Sequence, residues 1–182
     1  MRTETGTRQD HSTRRQIVPL NLCTETFNLN DLDQAAISER AYTEFQKIKA
    51  YGGRTKEMVL YHCNVGQGAE IYLMHKCGYK DNTEDYQDLF KPCGVVPVEV
   101  KVTMKGDPET DTDGCIQGVM DHINGTKNKV GIDERRFGWN KVVADKVYFY
   151  HFNPTTGNYT FLCTAHANKL LNRYVLDAEN VL

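Results

Sequence analysis

The sequence predicts a single α+β domain, with a mostly antiparallel sheet, two main helices and a mobile N-terminal arm. Three observations predict it. The stretch VVPVEVKVTMK (95–105) alternates apolar and polar side chains, the period of a strand with one wet face. Two pairs of apolar and aromatic runs, over 57–77 and 146–165, are each interrupted by a glycine-containing turn, as hairpins are. Ile37, Ala41, Phe45 and Ile48 recur at helical spacing within 31–51.

In chain order, residues 1–15 are polar and mildly basic and read as the mobile arm. The folded domain then covers 16–182. QIVPLNLCTETF (16–27) is strand-like, and Pro19 confines it to an edge or a start. The helix over 31–51 has Asn30 as its cap, acids at its positive end, Lys47 and Lys49 at its negative end, and Gly52 as its stop. KEMVLYHCN and AEIYLMHKC, joined by VGQG, are the first hairpin, with reversal at Gly66 and Gly68. An acidic segment with three aromatics (78–94) is long for a loop within one domain. After the alternating strand 95–105 comes the acidic stretch DPETDTDG (107–114), then a short helix over 113–124 that buries Ile116, Val119, Met120 and Ile123. A loop holds Trp139, the single tryptophan. The second hairpin turns at Asn153-Pro154 and Gly157. A short amphipathic helix over 166–176 closes the chain. Connections this short leave no expectation of repeated parallel crossovers.

The totals narrow the class. A chain of 182 residues is one domain in length. Its formal net charge of −2 does not suit a nucleic-acid coat, which needs excess Lys and Arg to displace counterions. No stretch approaches the ~20 apolar residues that span a bilayer, and MRTETGTRQDHSTRRQ has no signal-peptide core. The expected setting is therefore a reducing cytosol, with the six cysteines (23, 63, 77, 93, 115 and 163) as free thiols.

Three groups of residues invite a chemical reading. DPETDTDG begins like a calcium loop, with Glu109, Asp111 and Asp113 at alternate positions before Gly114. Met120 then occupies the place of the bidentate glutamate, so a solvated strand-to-helix turn capped by Thr112 or Asp113 is expected, with no metal. His62-Cys63 and His75…Cys77 look like thiol–imidazole pairs. In a hairpin, however, the two histidines lie ~17 Å apart along the strands and form no site by themselves. Arg135 and Arg136 beside Phe137 and Trp139 suit a phosphate or a partner surface, although Asp133 and Glu134 offset their charge. No phosphate-binding glycine loop, HExxH or GxSxG stretch is present, and no cofactor or catalytic residue is assigned.

The order of elements over about 16–165 resembles a rhabdovirus matrix protein, most nearly the short plant-rhabdovirus type. The likeness consists of a polar arm, a strand running into a long helix, a hairpin, an exposed loop, and a long alternating strand that leads through an acidic turn to a helix and a final hairpin. It implies a non-enzymatic virion protein that self-associates, bridges the viral nucleocapsid to an anionic membrane surface, and acts in assembly and budding. The implied location is the virion, the host cytoplasm and the inner membrane face, with no direct sequence-specific nucleic-acid binding. By position in the chain, Arg14, Arg15, Tyr79, Tyr86, Phe90, Arg135 and Arg136 are the candidate contacts. Neither PPxY nor PTAP occurs. Two other readings stay open: a small cytosolic enzyme with a Cys/His site, and a secreted effector lacking its signal peptide.

Overall fold

The computed structural model describes residues 24–82, 88–124, 144–168 and 173–177. Their order is β1 (Phe27–Asn28), a 3-10 turn (Leu29–Asp31), α1 (Gln34–Lys47), α2 (Lys56–Cys77), β2 (Lys80–Asp81), β3 (Leu89–Phe90), β4 (Pro97–Thr103), α3 (Thr112–Asn124), β5 (Lys146–Asn153), β6 (Asn158–Asn168) and β7 (Arg173–Leu176). This is a single α+β domain. The strands form one mixed sheet in the order β1-β6-β5-β4-β3-β2, with β7 also paired to β6.

The expected hairpin over 57–77 is instead the continuous helix α2. Its ends carry ordinary helix signals. Thr55 Oγ1 accepts the Met58 N–H, and Gly78 closes the far end in the left-handed region at φ 73°. Between them Val65, Ala69, Tyr72 and Leu73 fall on one face and pack on the sheet. Gly66 and Gly68, which read as a reversal, are helical. Gly68 is needed for close approach: a Cβ there would lie 2.3 Å from the Tyr159 hydroxyl. That hydroxyl donates to Val65 O at 2.7 Å, so the helix backbone rests directly on β6.

The front of the chain packs against this helix. α1 starts at Asp33, whose carboxylate accepts the Ala36 N–H, and so begins later than a cap at Asn30 implies. It buries Ile37, Ala41 and Phe45, and ends before Ile48. Of the expected strand 16–27, residues 24–27 are described, and only Phe27 is in a strand, β1. Phe27 stacks on Tyr72 with ring centres 3.7 Å apart and on Tyr159 at 4.6 Å. This aromatic stack joins β1, α2 and β6.

The sheet is covered on both faces. Val98, Val100, Tyr148, Tyr150 and Phe152 meet α2, while Val147, Phe149, Cys163 and Ala165 meet Cys115 and Val119 of α3. β5 is buried over six consecutive residues, as a central strand between two layers must be. β4 pairs with β5 in parallel through α3, so the chain does contain one crossover. The face of β4 expected to be wet is correspondingly closed. Glu99 and Thr103 are buried, and Gly118 of α3 comes so near that a Cβ would meet Thr103 Oγ1 at 2.3 Å.

The second hairpin is present as expected, tied by Gly157 N–H to Asn153 O at 2.8 Å, with a register shift between Phe149 and Tyr150. The expected helix over 166–176 is replaced by the end of β6 and by β7. Tyr174 and Leu176, two apart, both point into the α3-side core, which favours a strand over a helix here.

The two α2 glycines separate by experiment. Gly66→Ala meets open space within a helix and is expected to stabilise the protein by about 1 kcal/mol, whereas Gly68→Ala collides with Tyr159 and Leu29 and is expected to cost about 1–3 kcal/mol. Urea unfolding of both variants checks the opposite signs. Equal effects would mean that α2 does not approach β6 at Gly68.

Candidate functional site

Polar groups concentrate where α1 and α2 meet the β2–β3–β4 edge. Arg40 of α1 donates to three partners: Gln67 Oε1 at 2.7 Å, Glu70 Oε2 at 2.8 Å and Asp81 Oδ2 at 2.8 Å. Gln67 in turn donates to Glu70 Oε1 at 2.9 Å. Gln67 and Glu70 are buried, so this fork is the chief polar tie between the two helices and β2. On the neighbouring strand Glu99 pairs with Lys101. Asp88 lies at the strand edge and accepts the Val100 N–H at 2.7 Å. Burial, and then the charge of Asp88, push the Glu70 and Glu99 carboxyls well above the usual range, against the pull of Arg40 and Lys101. The Lys101 ammonium is held in its charged form by Glu99 and Asp88 despite its burial. Each cation in this network has an acid as partner, as a buried charge must if it is not to destabilise the fold.

Just beyond β3 the chain turns through Lys91–Val96, with Gly94 N–H on Lys91 O at 2.7 Å and Lys91 N–H on Val96 O at 2.9 Å. Cys93 stands exposed on this turn. Hydrogen bonds from the Val95 and then the Val96 backbone N–H hold its thiol below the ordinary range, and Lys91 adds a weaker pull. Lys80 lies beside Gly94 on the same turn. Three other thiols go the opposite way: burial raises Cys63 and Cys115, and pushes Cys163 up to about 11.

A third polar group closes the C-terminal end of the sheet. Asp177 accepts from Lys146 Nζ at 2.7 Å and Thr164 Oγ1 at 2.6 Å, and pairs with the His166 ring. Burial opposes ionisation, but these three partners prevail and hold its carboxyl at about 2. The group ties β5, β6 and the end of β7 together.

The acidic stretch 107–114 is an internally bonded turn. Asp107 Oδ1 accepts the Glu109 and Thr110 N–H groups, and Asp111 Oδ1 accepts the Gly114 N–H at 3.0 Å. Asp111 therefore caps α3, in place of the expected Thr112 or Asp113. Among the described residues no group of three His, Cys, Asp or Glu side chains is arranged to hold a metal ion.

The histidines are engaged separately. His62 lies on α2, its Nδ1 at 3.3 Å from Arg54 Nη1. On this helix His62 and His75 are thirteen residues apart and form no common site. His122 and His151 bond to Val102 O and Gly106 O. Of the sequence-derived contact residues, Tyr79 is buried, its hydroxyl 2.9 Å from that of Tyr148, so its ring serves the core. Phe90 is half-buried in β3 between Lys80 and Pro97. Arg14, Arg15, Tyr86, Arg135 and Arg136 lie outside the described residues. The structure does not bring Tyr79 and Phe90 to one surface patch. Sequence reasoning passed over Arg40 and Cys93. Arg40 carried no visible signal, because its partners depend on α2 being a helix, whereas the Lys-Pro-Cys-Gly turn was a readable one.

No family model matches the chain, and neither a curated protein nor a solved structure matches it.

Two measurements test these environments. Alkylation at neutral pH, followed by mass spectrometry, should modify Cys93 well before Cys63, Cys115 and Cys163. A Cys93 rate no higher than theirs would contradict the thiolate-stabilising turn. Because the folded pKa of Asp177 lies below its unfolded value near 4, its contribution of about 2 kcal/mol is present above pH ~4 and lost as pH falls towards ~2. Asp177→Asn should therefore lower Tm at pH 7 and narrow its difference from the parent near pH 2.

Proposed function

We propose that this chain is a structural protein of the matrix type, one that works by self-association and by linking a nucleocapsid to a membrane, and not by catalysis. The element order supports the reading: β1 leads into α1, and β4 passes through an acidic turn into α3 and on to the β5–β6 hairpin. That is part of the order on which the resemblance rests; α2 stands in place of its first hairpin, and the strands β2 and β3 lie within its exposed loop. Arg14, Arg15, Tyr86, Arg135 and Arg136 remain the proposed contacts with neighbouring copies or with the nucleocapsid. Sedimentation over a range of protein concentrations tests the proposal. The full chain should assemble progressively, and a chain lacking residues 1–15 should remain monomeric. A full chain that stays monomeric throughout would overturn it, and equal assembly of both chains would remove the arm from the mechanism.

The exposed Cys93 turn favours a second reading, a small enzyme with a cysteine nucleophile. Its nucleophile would be the Cys93 thiolate held by the Val95 and Val96 N–H groups. Labelling of Cys93 by an acyl-thioester probe, abolished by Cys93→Ser, would support it. A thiol that alkylates but never accepts an acyl group would contradict it.

A further inference from the structure

The connection between α1 and α2 reads KIKAYGGRTK (47–56), with four cations and no acid, in a chain whose net charge is −2. Gly52 and Gly53 take φ of 58° and 80°, and the Arg54 N–H reaches Tyr51 O at 3.2 Å, so the chain reverses in a tight turn at the tip of the helix pair. Large side chains stand out of the helical turns beside it: Tyr42 is 55% exposed, Met58 48% and Tyr61 41%. Lys49, Arg54 and Lys56 are exposed around them, and Glu44 is tied to Lys47. Glu57, and Glu39 one turn before Tyr42, are the other acids close by.

We propose that this tip is a peripheral contact for an anionic lipid surface. The side-chain mixture fits that partner on three counts. Tyrosine places an apolar ring and a polar hydroxyl at the headgroup boundary. Methionine supplies flexible apolar surface, and Lys and Arg keep their charges among headgroups while their stems lie along apolar surface. Cations beside an anionic leaflet add attraction that salt screens. A single-stranded nucleic acid is a poorer match. It requires a groove that tracks its backbone and free ring faces for stacking. Here the connection is a tight turn between two helices, Tyr42 and Tyr51 pack against Phe45, and the Lys56 ammonium covers the Phe45 ring at 5.8 Å. The proposal gives the membrane contact of the matrix-type reading a location, and rests on that reading for its biological setting.

Flotation of the full chain with phosphatidylcholine vesicles, with and without phosphatidylserine, tests it. The parent protein should float only with the anionic vesicles and release as salt rises. Each cation near the surface is worth about fivefold in partitioning, so the triple variant Lys49→Gln, Arg54→Gln, Lys56→Gln should bind about a hundredfold more weakly at unchanged Tm. Tyr42→Ser with Met58→Ser should also weaken binding, with less dependence on salt. Equal binding by parent and triple variant would overturn the tip while leaving a membrane contact elsewhere on the chain. A parent that ignores both vesicles would overturn the tip and the membrane reading together. A parent that ignores vesicles but shifts a single-stranded RNA oligomer, with the shift lost in the triple variant, would assign the tip to nucleic acid instead.

Discussion

The seat of α2 on the sheet is the constraint on which the other contacts depend. Phe27, Tyr72 and Tyr159 stack in series, and the Tyr159 hydroxyl reaches a helix carbonyl that the missing side chain of Gly68 leaves open. Buried aromatic rings are the largest apolar groups a core can use, and stacking fixes their relative position as well. Once this stack is in place, α2 covers one face of β4 and β5, and α1 gains a buried surface to pack on. The price is a helix with two internal glycines, which local propensity alone would not sustain.

The charged side chains follow the same geometry. Arg40 ties α1 to α2 only because Gln67 and Glu70, three residues apart, share a helix face. In a hairpin those two side chains would point to opposite faces of a strand pair, and the three-way fork would not form. Asp88 at the β4 edge has a second consequence. Its carboxylate occupies the Val100 N–H just beyond the short strand β3, and the His122 ring meets Val102 O two residues on. Side chains thus satisfy backbone groups that would otherwise present a strand edge.

The sequence was informative where a pattern is local. The alternation at 95–105, the periodicity of Ile37, Ala41 and Phe45, and the Asn153…Gly157 turn each announce their elements, and each element is present within a few residues of the expected bounds. The reading failed where a distant residue decides. Val-Gly-Gln-Gly favours reversal until Tyr159, 91 residues after Gly68, demands a small residue in a helix. Thr55 and Gly78 are ordinary helix end signals, but the strand-like composition between them hid the helix they bracket. The closing segment failed in the same way, because Tyr174 becomes an inward strand residue only against Cys115 and Val119 of α3. The polar sites were less legible still. The Arg40 fork, and the meeting of Asp177 with Lys146, Thr164 and His166, depend on pairings no short motif encodes.

A helical 56–77 also shapes the functional reading. It turns 47–56 into the tip of a helical pair, exposes Tyr42, Met58 and Tyr61 around four cations, and separates the two His/Cys pairs along one helix. The most direct test of the account is a residue-by-residue NMR measurement on the intact protein, combining Cα chemical shifts with amide hydrogen exchange. Helical shifts that run unbroken from Lys56 to Cys77, with the slowest exchange between Val65 and Leu73, are the predicted result. Strand-like shifts on either side of a break at Val65–Gly68, with fast exchange at the break, would contradict it.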